Sequence, residues 1–228
     1  MSELLTVSPA WQEAHPGATY GLIAFRDVQN PPAHESMNAA ASDLESSLRE
    51  RFTAGERDAL RATPPLPAYA AYDKRWGQRY HVGMQLESVA LKGKPIPRVA
   101  ALVEAMFVSE LANLLLTAGH DLDQIALPVS LDTGAGQEFT APNGKTQPVK
   151  DGDMFTADAE GRVLSAIITG PSDLARISPE TTAALFYAYG PPGVSAADMS
   201  AHLDAIERNV RLISPAAVVV AREVIAAS

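Results

Sequence analysis

Residues 97–131, PRVAALVEAMFVSELANLLLTAGHDLDQIALPVSL, constrain this chain more than any other stretch. Val99, Leu102, Val103, Met106, Phe107, Leu111, Leu114 and Leu115 recur at spacings of three and four, which predicts a helix with one buried face. Pro97 stands just ahead of the first turn, where a missing N–H costs nothing. Gly119 is placed to stop the helix as a left-handed C-cap. The polar cluster His120-Asp121-Leu122-Asp123 follows, and IALPVSL (125–131) reads as a buried strand. The expectation is a core helix packed on that strand through Val103, Met106, Phe107, Leu111 and Leu114.

Upstream, ATYGLIAF (18–25) reads as an apolar strand and QNPPAHES (29–36) as a loop. Ser42 to Phe52 is expected to be helical, with Leu44 and Leu48 on one face. GERDALRAT (55–63) is a short basic helical piece closed by Pro64-Pro65. Tyr69, Tyr72 and Trp76 then recur at helical spacing before Gly77, and His81 to Leu91 forms another helix. An aromatic stripe of that kind serves more often as core than as a stacking platform for bases.

Downstream, Ile125 to Ile168 reads as short strands broken by turn chemistry. Asn143-Gly144 is the strongest hairpin signal, because both residues tolerate positive φ. RVLSAIITG (162–170) is a strand that Gly170-Pro171 ends. Ser178 and Pro179 look like a helix start, and ALFYAY like a last core strand. Ser195 and Asp198 approach a capping box for a helix with Met199, Leu203, Ile206, Val210 and Ile213 on its buried stripe. Ser214-Pro215 reads as the start of a final helix.

These elements predict an α+β fold, short strands flanked by helices, in one domain spanning 1–228. A helical, basic part covers 1–96 and C-terminal helices cover 195–228. At 228 residues the chain can bury a sizeable core. The absence of cysteine excludes disulfides and thiolate metal sites and agrees with a reducing cytoplasm. MSELLTVSPAW lacks the basic and apolar regions of a secretory leader, and AAVVVA near the C-terminus is far too short to span a bilayer. The expected setting is the cytoplasm, without a membrane.

A net charge of −9 argues against general affinity for nucleic acid. The charge is uneven, however. Between Arg49 and Arg98 ten Lys/Arg stand against five Asp/Glu, and the rest of the chain holds eight against twenty-two. Either a basic face is offered to RNA, or arginines are scattered over a solvated helical surface. The sequence has no GxxxxGK, GxSxG or HExxH, and no GxGxxG after a strand. His120, Asp121 and Asp123 lack a second histidine at ligand spacing, so no metal or cofactor is expected. Asp121 is as well suited to capping backbone N–H groups at the turn as to lining a pocket.

The order of a helix, GHDLDQI, a strand, Glu138-Phe139 and Asn143-Gly144 resembles the tRNA-editing module of the phenylalanyl-tRNA synthetase β subunit, and proteins carrying that module alone. In that family a helix opening VD closes in LHAFDLDKI; here Val103-Glu104 opens and Thr117 to Ile125 closes. SAIITGPSD (165–173) falls where the family has AGIMGG, and TTAALFYAYGPPGV (181–194) where it has TKNILLEAAFF. The resemblance covers roughly residues 97–194.

The resemblance implies the editing-module fold and a pocket for an aminoacyl-tRNA or related aminoacylated ligand, bound or hydrolysed. His120, Asp121, Glu138, Ser165, Thr169 and Thr181 would be the substrate-binding groups, with His120, Glu138, Ser165 and Thr181 around one cavity. Phosphates of a tRNA would be met by Arg49, Arg57, Arg61, Lys74, Arg75, Arg79, Lys92, Lys94 and Arg98. Two positions depart from the family pattern: Ala118 replaces its histidine and Tyr187 its glutamate. The alternatives are a binding protein for an amino-acid-like small molecule and an interaction module without ligand.

Overall fold

The computed structural model describes residues 4–52 and 57–227. The chain begins β1 (Leu5–Val7), α1 (Pro9–Ala14), β2 (Thr19–Arg26), α2 (Glu35–Arg51), α3 (Arg57–Arg61), α4 (Leu66–Asp73) and α5 (His81–Ala90). It continues through α6 (Ala101–Asn113), β3 (Thr117–Asp121), β4 (Val129–Thr133), β5 (Glu138–Thr140), β6 (Thr146–Pro148) and β7 (Met154–Ala157). It ends with β8 (Val163–Ala166), β9 (Gly170–Pro171), β10 (Ala183–Gly190), α7 (Ala196–Ile213) and β11 (Val218–Ala226). The fold is α+β.

At the centre lies β10, AALFYAYG, every residue of which is buried. A strand covered on both faces needs a near-continuous apolar run, and this one has it. It pairs antiparallel with β2 and β3, and β11 adds outside β2, giving the order β11-β2-β10-β3. A second sheet runs β1-β4-β7-β8-β9, with β1 parallel to β4 and the other pairs antiparallel. The hairpin β5–β6 turns at Asn143-Gly144 with φ of 77° at the glycine, as the sequence predicted.

Side chains along a strand alternate between faces, and β10 shows what each face meets. Tyr189 stands opposite Tyr20 of β2, and both hydroxyls reach Thr156 of β7. That face therefore packs on the five-stranded sheet. The opposite face carries Gly21, against which Met199 and Leu203 of α7 pack so closely that a Cβ there would lie 2.6 Å from the methionine sulfur. The capping box of α7 is present, with Ser195 and Asp198 bonding each other's backbone N–H.

The structure corrects several expectations. The central helix is shorter: α6 ends at Asn113, and Leu114, not Gly119, takes the left-handed cap with φ of 60°. That conformation costs a leucine about 1–2 kcal/mol, but it turns Leu114, Leu115 and Leu116 into the core together, and burying one leucine contributes about as much. Gly119 instead lies in β3, where an added Cβ would sit 2.8 Å from the Phe186 ring. Within α6, Leu111 is buried while Val103, Met106 and Phe107 are half-buried. The helix packs on α7, α2, α5 and β3 rather than on residues 125–131, whose strand begins only at Val129.

Helix α2 starts at Glu35, seven residues before the expected Ser42, because Met37 and Ala41 extend its buried face. Residues 178–181 make a turn and no helix: the Ser178 N–H donates to Thr181 Oγ1 and the Thr181 N–H to the Ser178 carbonyl. The strand expected over 162–170 is confined to Val163–Ala166, and Gly170–Pro171 folds back on it as β9. The expected final helix is the strand β11, whose β-branched run VVVAREVIA pairs with β2. The C-terminal part is thus one helix and one strand; the strand expected over 18–25 is β2, and β1 is an additional strand in the part read as helical.

Candidate functional site

A cleft of about 240 Å³ opens between α5, α6 and β3 on one side and β8 and β9 on the other. Met106, Phe107, Leu116, Ala118 and Ile167 make its apolar wall, and Glu110, Thr117, Ser165 and Tyr189 are its interior polar groups. His81 and Gln85, from the first turns of α5, stand at its mouth. Concave, largely apolar sites with a few placed polar groups are the usual form of small-ligand pockets.

Glu110 is the most unusual of these residues. It follows Phe107 and precedes Leu111 on α6 and is 2% exposed. Its Oε1 accepts the Thr117 N–H at 2.9 Å, and Oε2 accepts no hydrogen bond from the described residues. Burial pushes its carboxyl from 4.5 up to about 8, against the opposing pull of that N–H. Behind Thr117 stands His202 of α7, its Nε2 2.7 Å from Thr117 Oγ1 and its pKa lowered by burial to about 3.

From the cleft, a chain of hydroxyls runs inward between the two sheets. Ser165 Oγ lies 2.8 Å from Tyr187 Oη and 2.9 Å from Tyr189 Oη. Tyr187 Oη lies 2.9 Å from His120 Nε2, and Tyr189 donates to Thr156 at 2.8 Å. Burial lowers His120 to about 4, so the ring is neutral, and Nδ1 faces the Leu174 carbonyl at 3.4 Å. With the proton on Nδ1, Nε2 must accept, and Tyr187 donates to it. Buried tyrosines normally find such partners, and here they find one another.

The six groups expected to bind substrate do not share one cavity. Ser165 lines the cleft, and His120 lies one hydroxyl behind it. Asp121 is occupied elsewhere: Oδ2 accepts from Thr181 Oγ1 at 2.7 Å and Oδ1 from the Asp123 N–H at 3.1 Å. That is the capping role, and it takes Thr181 with it. Thr169 lies in the turn between β8 and β9, its buried Oγ1 without a partner among the described residues. Glu138 is exposed on β5 and borders a separate, open depression with Arg162 and Ser172. The six are divided because adjacent residues of β3 point to opposite faces, Glu138 belongs to the separate β5–β6 hairpin, and Thr169 and Thr181 lie outside the strands.

Sequence reading missed Glu110, Thr117 and Tyr189. One signal was present for Glu110: a carboxylate set between Phe107 and Leu111, on the apolar side of the helix. The departures flagged at 118 and 187 are neighbours, since Ala118 pairs with Tyr187 in register. The hydroxyl of Tyr187 supplies a polar group from where the small Ala118 leaves room.

Much of the basic segment is already partnered. Arg49 and Arg98 pair with Glu45, Arg98 also with Glu104, and Arg57 and Arg61 both with Glu87. Arg75 lies 3.9 Å over the Tyr72 ring. Lys74, Arg79, Lys92 and Lys94 are exposed and form no ion pair with the described residues. Arg61 and Arg79 border a second cleft of about 260 Å³, separated from the first by α5, whose Gly83, Met84 and Glu87 face that side. Among the described residues no group of three or more His, Asp or Glu is placed to hold a metal ion, and no helix is long and apolar enough to cross a membrane.

No protein-family model matches the chain. No curated protein matches it either. Among solved structures it is similar to an N-terminal fragment of the phenylalanyl-tRNA synthetase β subunit from Pyrococcus horikoshii, at 10% identity and a TM-score of 0.47. The match covers 97% of this chain and 50% of that one, so the chain spans about half the fragment's length. A likeness this distant transfers no activity, substrate or partner.

Proposed function

We propose that the chain binds an amino-acid-like ligand, free or as the aminoacyl end of a tRNA, in the cleft between α6 and β8–β9. The observation that carries this reading is a buried carboxyl group, Glu110, with one unengaged oxygen in a largely apolar cleft of amino-acid size. The sequence resemblance to an aminoacyl-tRNA editing module points to the same ligand class. Leu116, Met106, Phe107 and Ile167 offer an apolar side chain its surface, while Ser165 and Tyr189 offer hydroxyls.

A free small molecule is the first form of this reading, since Arg49, Arg57, Arg61 and Arg98 are neutralised by glutamates of their own neighbourhood. An aminoacyl-tRNA is the second, supported by the exposed, unpaired Lys74, Arg79, Lys92 and Lys94. A titration at two salt concentrations with free amino acids and with a panel of correctly and wrongly charged tRNAs, following deacylation as well, separates them. Phosphate contacts make tRNA binding fall steeply with salt, and reversing Lys74, Lys92 and Lys94 to Glu then weakens it. Salt-independent binding of free amino acids supports the first form. Binding of neither class defeats the reading.

A further inference from the structure

We infer that the cleft receives its ligand with the ammonium end innermost, so that it selects a free primary amine and rejects the N-acylated counterpart. This rests on the reading of the cleft given above and goes further by naming which end enters.

The polarity of the hydrogen bonds supports it. Oε2 of Glu110 is unengaged, and Oε1 already holds the Thr117 N–H. The His120 ring places a proton on Nδ1 toward Leu174, so its Nε2 takes the only proton of Tyr187. Ser165 then donates into the network, to Tyr187 or Tyr189, and its own proton points away from the cleft. What Ser165 can show a ligand is a lone pair. Tyr189 in turn gives its proton to Thr156 or to the Ser165 carbonyl, both away from the ligand.

Once Glu110 is ionised, the interior of the cleft presents only acceptors. A carboxylate brought inward would find one donor, the proton that Glu110 carries in the free cleft, and would leave its own negative charge in the apolar cleft without a cation. An ammonium brings three donors and one positive charge, which matches a carboxylate oxygen and a hydroxyl lone pair. The donors that suit the carboxyl-derived end are at the mouth, where Gln85 and His81 stand. An acetyl group on the amine would remove the charge and two of the three protons.

Glu110 is held largely protonated at neutral pH by burial. An ammonium docking on it favours the carboxylate, so binding should expel a proton from Glu110 to solvent. That supplies a readout independent of affinity.

The test is calorimetric titration of the intact chain with the methyl esters of leucine, methionine and phenylalanine, their N-acetyl derivatives, and the corresponding simple amines such as isopentylamine. The expected result is binding of esters and amines, at least tenfold weaker binding of the N-acetyl esters, and, for isopentylamine, whose amine is already fully charged near pH 7, release of close to one proton, seen by comparing buffers of different ionisation enthalpy. Glu110→Gln, which keeps an acceptor for the Thr117 N–H, should lower ester affinity at least tenfold and abolish the proton release. If that variant does not fold, the proton count on the native chain decides. N-acetyl esters binding as tightly as free esters, or isopentylamine binding without proton release, would overturn the ammonium-inward inference and leave the cleft reading standing. If no ester, amine or amino acid binds at all, the inference falls, and the cleft reading stands only in its aminoacyl-tRNA form.

Discussion

The Tyr187 hydroxyl lies 2.9 Å from Nε2 of His120, and the two rings stack nearly parallel, centroids 5.5 Å apart and planes 15° from each other. The pair joins β3 to β10 by more than backbone bonds, because both side chains are buried on the face that meets the second sheet. Removing the phenol oxygen in Tyr187→Phe leaves the imidazole nitrogen and Ser165 each short of a partner. The expected cost is about 1–3 kcal/mol, because a buried group left unsatisfied forfeits its full solvation. A double-mutant cycle with His120→Leu, read by urea unfolding, should give a coupling of about 0.5–3 kcal/mol. Strict additivity of the two changes would show that the hydrogen bond contributes nothing.

Glu110 makes a prediction about pH. Its carboxyl is raised from 4.5 to about 8, so between those values the folded chain holds a proton that the unfolded chain has released. Stability then falls as pH rises through that window, and the loss is complete above it. Asp153, raised to about 7, and Asp73, raised to about 6, act in the same direction. His15 and His120, lowered to about 4, and His202, lowered to about 3, act in the opposite one, losing stability as pH drops below 6.5. The difference between the native chain and Glu110→Gln cancels all of these but one. The variant should gain on the native chain by roughly a few kcal/mol between about pH 5 and pH 8. A difference that does not change with pH would refute the buried, protonated carboxyl.

Gly119 distinguishes a strand from a helix cap. An added Cβ would lie 2.8 Å from Cε1 and 2.9 Å from Cδ1 of Phe186, and 3.1 Å from Cδ1 of Ile177. Gly119→Ala should cost about 1–3 kcal/mol by overpacking, part of it recovered by Phe186→Leu. Gly21→Ala should cost less, since the first atoms it meets belong to the flexible Met199 thioether. Thermal unfolding of the three variants gives the ranking. A Gly119→Ala chain as stable as the native one would contradict this packing.

The capping box of α7 makes a smaller and cleaner prediction. Ser195 Oγ accepts the Asp198 N–H at 3.0 Å, and the Asp198 carboxylate accepts the Ser195 N–H at 3.3 Å. Ser195→Ala should destabilise by about 1 kcal/mol, with the urea dependence of unfolding unchanged. Loss of ten times that stability, or none, would mean that α7 is held by something other than its cap and its buried stripe.

Where a signal was local, sequence reading found the element. ALFYAY was recognised as a core strand from its unbroken apolar run, the β5–β6 hairpin from Asn143-Gly144, and α7 from Ser195 and Asp198 with the stripe from Met199 to Ile213. Each depends on residues a few positions apart, so the physics that forms it is written in adjacent letters. The capping role of Asp121 was legible for the same reason.

Two of the errors share one cause, a distant partner outweighing a local preference. Gly119 has the chemistry of a helix cap, but the ring of Phe186 arrives from β10 and leaves no room for a side chain there, so the glycine is used in a strand. Residues 218–226 could be read as helix until β2, two hundred positions away, offers an edge to pair with. The candidate site divides in the same way. That Ser165 is polar within an apolar run is visible in the sequence, whereas its contact with Tyr187, Tyr189 and, through them, His120 exists only once two sheets face each other. Sequence alone determined the class of the fold and that ALFYAY is a core strand, because periodicity and turn chemistry act over a few residues. The cleft, the carboxyl of Glu110 and the direction of the hydroxyl chain were decided by tertiary structure, because burial and hydrogen-bond polarity depend on what packs against a residue from elsewhere in the chain.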